Sequence, residues 1–217
     1  MADFSVERRH MVDGQVRTAD VADLRVISAM MEVPREKFVP PAATALAYLD
    51  HDLAVGEGNS RRLLKPMVLG KLLNAADIEA SDRVLDVGCA TGYAAAVLAR
   101  IAGEVVALEQ DASVAKTAKA ALASLPNVSV VSGPLADGWK QGAPYDLILL
   151  EGATEIEPQA FCPQLKDGGR LLCIFGLAPG AKAMLYRRSG SEMGGRPIFD
   201  ASAALLPGFA KLPVFAF

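Results

Sequence analysis

The chain is poor in residues that staple a fold, ligate metals or titrate near neutrality. Its 217 residues include three cysteines, two histidines and one tryptophan. Cys89, Cys162 and Cys173 are odd in number, lack metal-ligand spacing and lie in or beside apolar segments. That pattern argues against a disulfide scaffold and a structural zinc, and fits reduced core thiols in a cytoplasm. His10 and His51 have no partners at catalytic spacing, so neither is read as a base, and no metal site is expected. No apolar run approaches the roughly 18 residues of a membrane span, and the start, Met1-Ala2-Asp3-Phe4-Ser5, carries no apolar leader region. A formal charge of −3 provides no basic field for nucleic-acid backbones. Repeats and low-complexity tracts are missing too. What is present is a chain 52% hydrophobic, of a length that suits one cored domain with an added lobe.

The most informative segment is Val84-Leu85-Asp86-Val87-Gly88-Cys89-Ala90-Thr91-Gly92-Tyr93 followed by an alanine-rich run. It reads as a buried strand, a glycine turn and a helix start. Such a turn presents backbone N–H groups and the positive end of a helix to a ligand, with glycines where a Cβ would block the approach. A second apolar strand, Val105 to Leu108, ends at Glu109, about 20 residues after the turn, where a carboxylate can take both ribose hydroxyls. Asp86 narrows the ligand class: a carboxylate there repels a pyrophosphate and suits the amino-acid part of S-adenosylmethionine. The bland reading is an ordinary α/β turn without a ligand. For Cys89, a thiol at a helix N-terminus can have a lowered pKa, yet the turn requires only a small side chain, and the steric reading is favoured.

Residues 5 to 32 carry a helical apolar pattern, with Asp20 or Asp23 as a candidate cap, and form a lobe ahead of the sheet. Prolines break regular structure between Val33 and Pro41. A polar, glycine-containing loop from Asp50 to Lys65 precedes a helix beginning at Pro66 and is expected near the glycine turn. From Arg83 onward, strand and helix candidates alternate: 83–87, 91–102, 104–108, 112–124, 128–132, 145–150, 157–165 and 169–175. This predicts an α/β fold, a Rossmann-like, doubly wound, mostly parallel sheet with helices on both faces. Met184 to Tyr186 and Ala203 to Leu206 are candidate antiparallel edge strands, with an exposed turn from Ser189 to Arg196. Trp139 is expected to fill a hydrophobic gap at the sheet edge.

These residues carry a family likeness over nearly the whole chain: it resembles protein-L-isoaspartate O-methyltransferases. The likeness rests on Met11-Val12-Asp13-Gly14-Gln15-Val16-Arg17, Arg25 to Met30, Val33 to Pro40 and Ala47-Tyr48-Leu49-Asp50 through Gly56-Glu57-Gly58. It continues through Asp137-Gly138-Trp139, Ala143 to Asp146 and Leu165 to Leu171. The resemblance implies a single S-adenosylmethionine-dependent domain over 1–217, with a helical lobe and active-site loop to residue 66 and the Rossmann-like core from 67. It implies carboxyl methylation of isoaspartyl residues in protein or peptide substrates. Cofactor contacts are expected from Asp86, Gly88, Cys89, Thr91, Gly92, Glu109, Gln110 and Leu135, and a catalytic role from Ser60.

Three departures fall at the expected site. The family's Gln-Thr-Ile-Ser-Gln-Pro-like stretch is replaced by Asn59-Ser60-Arg61-Arg62-Leu63-Leu64-Lys65-Pro66, with two extra residues. Counted back from Pro66, Leu64 stands at the family's serine; counted forward from Gly58, Ser60 matches its threonine. The acidic residue expected after the third strand is replaced in Gly133-Pro134-Leu135, and Glu151 takes the place of a small hydroxyl residue. Arg61 and Arg62 either grip a substrate carboxylate bidentately or form a solvated face. A cofactor-binding homologue without isoaspartyl activity, or a methyltransferase with another acceptor, are the alternative functions.

Overall fold

The computed structural model describes residues 3–211. Its centre is a seven-stranded sheet in the order β5-β4-β3-β6-β7-β8-β9. The strands are β3 (Arg83–Val87), β4 (Glu104–Glu109), β5 (Val128–Ser132), β6 (Tyr145–Thr154), β7 (Leu165–Phe175), β8 (Lys182–Ser189) and β9 (Glu192–Asp200). The first five run parallel, while β8 and β9 add an antiparallel hairpin at one edge. Strand order reverses between β4 and β6 around β3, so the crevice beyond the carboxyl end of β3 is the topological switch point.

Alternation along the central strands sorts side chains to two faces. Val84 and Leu147 enter one core cluster, while Leu85, Val87, Ile148 and Leu150 enter the other. The first face is covered by α3 (Pro66–Ala75), α4 (Tyr93–Leu98) and α5 (Ala112–Leu122). The second is covered by 3-10 turns at Leu135–Asp137, Lys140–Gly142 and Gln159–Gln164, with Leu206 and Phe209. The helix expected over 157–165 is therefore a 3-10 turn, because Pro158 and Pro163 remove backbone donors. Trp139 packs half-buried against this second cluster.

The N-terminal lobe contributes α1 (Ser5–Met11) and α2 (Leu24–Glu32). Asp23 caps α2 by accepting from the Arg25 amide at 2.8 Å, whereas Asp20 sits in the left-handed region at φ 64°. Val26, Ile27, Ala29 and Met30 turn inward, and the helix ends where Val33 becomes extended before Pro34. Met11, Val26 and Phe38 share a cluster with Val84 and Val105, so lobe and sheet have one core. The 50–65 loop contains a small hairpin, β1 (Leu53–Val55) against β2 (Arg61–Leu63).

Two expectations at the C-terminal end are corrected. Ser189 to Arg196 is mostly strand: the reversal is tight at Gly190 (φ 60°), and Ser189 already pairs with Glu192. Ala203 to Leu206 is an irregular strap whose Leu205 makes one parallel bridge to Ala153, since β9 already occupies the sheet edge. Among the described residues no helix is long and apolar enough to cross a membrane.

Candidate functional site

The turn after β3 folds back onto the end of β4. The amides of Gly88 and Cys89 both donate to the Leu108 carbonyl, at 2.8 and 3.1 Å. Gly88 at φ 78° and Gly92 at φ 95° occupy backbone space that favours glycine, and Gly92 sets the start of α4 two residues later than the pattern predicts. Thr91 donates its hydroxyl to the Phe38 carbonyl, tying the turn to the lobe. The Cys89 thiol is buried, and desolvation, reinforced by the negative field of Asp86 and Glu109, pushes its pKa well up. That environment is the reverse of a reactive cysteine's.

Glu109 is fully buried at the end of β4 and is the best-satisfied group of the site. Its oxygens accept from the backbone amides of Ala90 (2.9 Å), Gln110 (2.8 Å) and Asp111 (3.1 Å). They also accept from Arg61, whose Nε lies 3.1 and 3.0 Å from the two oxygens, while Arg61 Nη2 donates to the Gly88 carbonyl at 2.9 Å. Arg61 is only 6% exposed. The hairpin places it there: Arg61 pairs with Val55 and faces in, Arg62 faces solvent, and Leu63 faces in again. Of the two roles weighed for the arginine pair, Arg62 alone is the solvated one. Arg61 grips a carboxylate of its own chain.

The floor of the crevice is acidic. Asp86 and Glu151 are both buried, and both pKa values are raised, by desolvation first, with the charge of Glu109 adding to the rise at Asp86 and that of Asp86 to the rise at Glu151. Both Asp86 oxygens and Glu151 Oε1 lack hydrogen-bond partners among the described residues. The roof is apolar. A Cβ built on Gly88 would stand 2.5 Å from Arg61 Nη2, 3.0 Å from Leu206 and 3.5 Å from Leu135, so these three side chains fill the space over the turn. Leu206 is held by its amide on the Ala153 carbonyl (2.9 Å), with the Ala153 amide on Ala204 (2.8 Å).

Asp86, Gly88, Cys89, Thr91, Gly92, Glu109 and Leu135 thus converge, and the Gln110 side chain reaches the Leu135 amide at 3.3 Å. Ser60 does not join them. Its hydroxyl is exposed and donates at 2.8 Å to Asp111, the N-cap of α5, which holds that carboxyl down at about 2. The serine expected at the reaction centre thus has its hydroxyl on the α5 cap. Leu64 is buried with its carbonyl on Arg35 (2.9 Å). A cavity of about 440 Å³ opens on the lobe side of the turn, bounded by Lys37, Phe38, Pro40, Gly56, Thr91 and Val114. Sequence reasoning missed the pairing of Arg61 with Glu109 and the placement of Leu206. The available signal for Arg61 was the apolar pattern of Leu53-Ala54-Val55 and Leu63 around a glycine reversal, which puts an arginine on an inward face.

Comparison with known proteins agrees with the fold and the motif. A family model described as protein-L-isoaspartate(D-aspartate) O-methyltransferase matches residues 6–194. A protein-L-isoaspartate O-methyltransferase 1 of Rhodopseudomonas palustris is 39% identical over 184 residues, covering 84% of this chain and 74% of the relative. One from Pelotomaculum thermopropionicum is 38% identical over 185 residues, covering 84% and 80%. A solved protein-L-isoaspartate O-methyltransferase superposes with TM-score 0.81 at 24% identity, over 93% of this chain and 66% of that one. A Plasmodium falciparum structure of the same designation, in complex with S-adenosyl-L-homocysteine, gives TM-score 0.75 at 14% identity over 92% and 97%. With the match extending from α1 into β9, this chain belongs to the protein-L-isoaspartate(D-aspartate) O-methyltransferase family.

Proposed function

We propose that the chain is an S-adenosylmethionine-dependent methyltransferase acting on the carboxyl group of isoaspartyl residues in proteins or peptides, with residues 1–217 as one domain. The carrying observation is Glu109 at the end of β4, held by the amides of Ala90, Gln110 and Asp111 against a turn with glycines at 88 and 92. The donor set suits an adenosyl cofactor: Glu109 for the ribose hydroxyls, Asp86 for the amino group, and Leu135 and Gln110 for the base. The bound cofactor would supply the methyl group. An acceptor carboxylate is ionised at neutral pH and needs no general base, so the protein's contribution is to align oxygen with methyl and exclude water. Leu206, Leu135 and the lobe supply the exclusion. Three cysteines, all unpaired, support a cytoplasmic setting.

A second reading, a family member that binds cofactor without isoaspartyl turnover, draws on Ser60, which donates to Asp111 away from the acidic floor. Methyl transfer from labelled S-adenosylmethionine to an isoaspartyl peptide and its aspartyl twin decides between them. Transfer to the isoaspartyl peptide alone is the expected result. Cofactor binding without transfer to either peptide would favour the second reading.

A further inference from the structure

We propose that Arg61 is an internal latch on the cofactor crevice, occupying the carboxylate that a ribose would use, so that the cofactor enters by displacing it. The inference rests on the S-adenosylmethionine reading above and concerns what must move for that reading to operate.

Three independent contacts build the latch. Arg61 Nε bridges both Glu109 oxygens, whose other partners are three backbone amides, which leaves no room for two further hydroxyl donors. Arg61 Nη2 takes the Gly88 carbonyl, and the same nitrogen fills the space that the absence of a Cβ on Gly88 would offer to a ligand. Leu206 closes the remaining side, and a Cβ on Gly152 would meet its side chain at 2.7 Å. A guanidinium on a carboxylate imitates the ligand's hydroxyls: it presents N–H donors to the same acceptor and, unlike them, carries a compensating charge. The crevice is therefore closed by a group that satisfies Glu109, not by collapse.

The latch is carried on a short hairpin. β1 and β2 are three residues each and joined by a reversal containing Gly56 at φ 79° and Gly58 at φ 62°. The reversal is pinned to the body through Ser60 on Asp111, an exposed hydrogen bond. Displacement frees Glu109 at the cost of breaking a buried ion pair, so the wild-type chain should bind the cofactor more weakly than its donor set alone would allow.

The test is calorimetric titration of S-adenosyl-L-homocysteine into the full chain and its Arg61→Ala, Arg61→Met and Arg62→Ala variants, with circular dichroism to confirm folding. Arg61→Met retains an apolar stem of similar reach and guards against a cavity that unfolds the alanine variant. Either Arg61 variant should bind at least tenfold more tightly than wild type, and Arg62→Ala should match wild type. In the wild type, saturating ligand should speed amide hydrogen exchange over 61–63 and 203–206. Wild-type binding equal to or tighter than both Arg61 variants, with exchange unchanged, overturns the latch and leaves the cofactor reading intact. Absence of binding in all four proteins overturns both.

Discussion

Arg61 and Glu109, 48 residues apart in sequence, form the most buried ion pair of the molecule's described residues, with a 3.0 Å contact between groups 6% and 0% exposed. Buried pairs gain little over apolar replacements, but removing one partner strands the other. The two halves are stranded unequally. Without Arg61, Glu109 keeps three amide donors; without Glu109, Arg61 keeps one carbonyl and three amides lose their acceptor. Arg61→Ala should therefore cost about 3 kcal/mol and Glu109→Ala about 5 kcal/mol. The double variant should fall short of the sum by about 2 kcal/mol. Urea unfolding of the four proteins measures this, and additive losses would show that the two residues do not act as a unit.

The middle position of the turn is occupied by Ala90 at φ 49°, with its amide on Glu109 at 2.9 Å. A left-handed alanine costs about 1–2 kcal/mol, which glycine avoids. Replacing a buried alanine with glycine ordinarily loses about 0.8 kcal/mol of burial and 0.5–1 kcal/mol of backbone entropy. At position 90 the terms offset, so Ala90→Gly should lie within about 0.5 kcal/mol of wild type. Ala95→Gly, at a fully buried position inside α4, should lose about 1.5 kcal/mol by the same reckoning. Thermal unfolding of the pair separates the two; equal losses would mean that the turn carries no strain at Ala90.

What was legible in sequence was local. The β3 turn and Glu109 could be read because a buried strand, a glycine reversal and a second strand each leave their own pattern in consecutive residues. The covering of the second sheet face was not, since Pro158 and Pro163 weaken an apolar run without erasing it, and a 3-10 turn has no period of its own. Arg61 was ambiguous because its partner is fixed only by the tertiary approach of a three-residue hairpin. Leu206 was misread because an apolar run of four residues suits an edge strand as well as a strap, and only the position of β9 decides between them.

The acidic floor predicts a pH dependence of stability. Burial raises both Asp86 and Glu151, so each binds its proton more tightly in the folded chain than in the unfolded one. For a carboxyl with a raised folded pKa, the associated stability is full below the unfolded value near 4 and is lost as pH rises through the folded value. With Asp86 raised to about 7, the loss falls between about pH 4 and 7. Each extra bound proton in that window steepens the decline by about 1.4 kcal/mol per pH unit. Glu151→Gln removes one of the two raised titrating groups and its bound proton. Its stability relative to wild type should therefore rise between pH 5 and 7, by about 1 kcal/mol or more across the interval. Urea unfolding at pH 5, 6 and 7 measures the difference. A gap that stays constant or narrows with rising pH would show that Glu151 holds no extra proton in the folded chain.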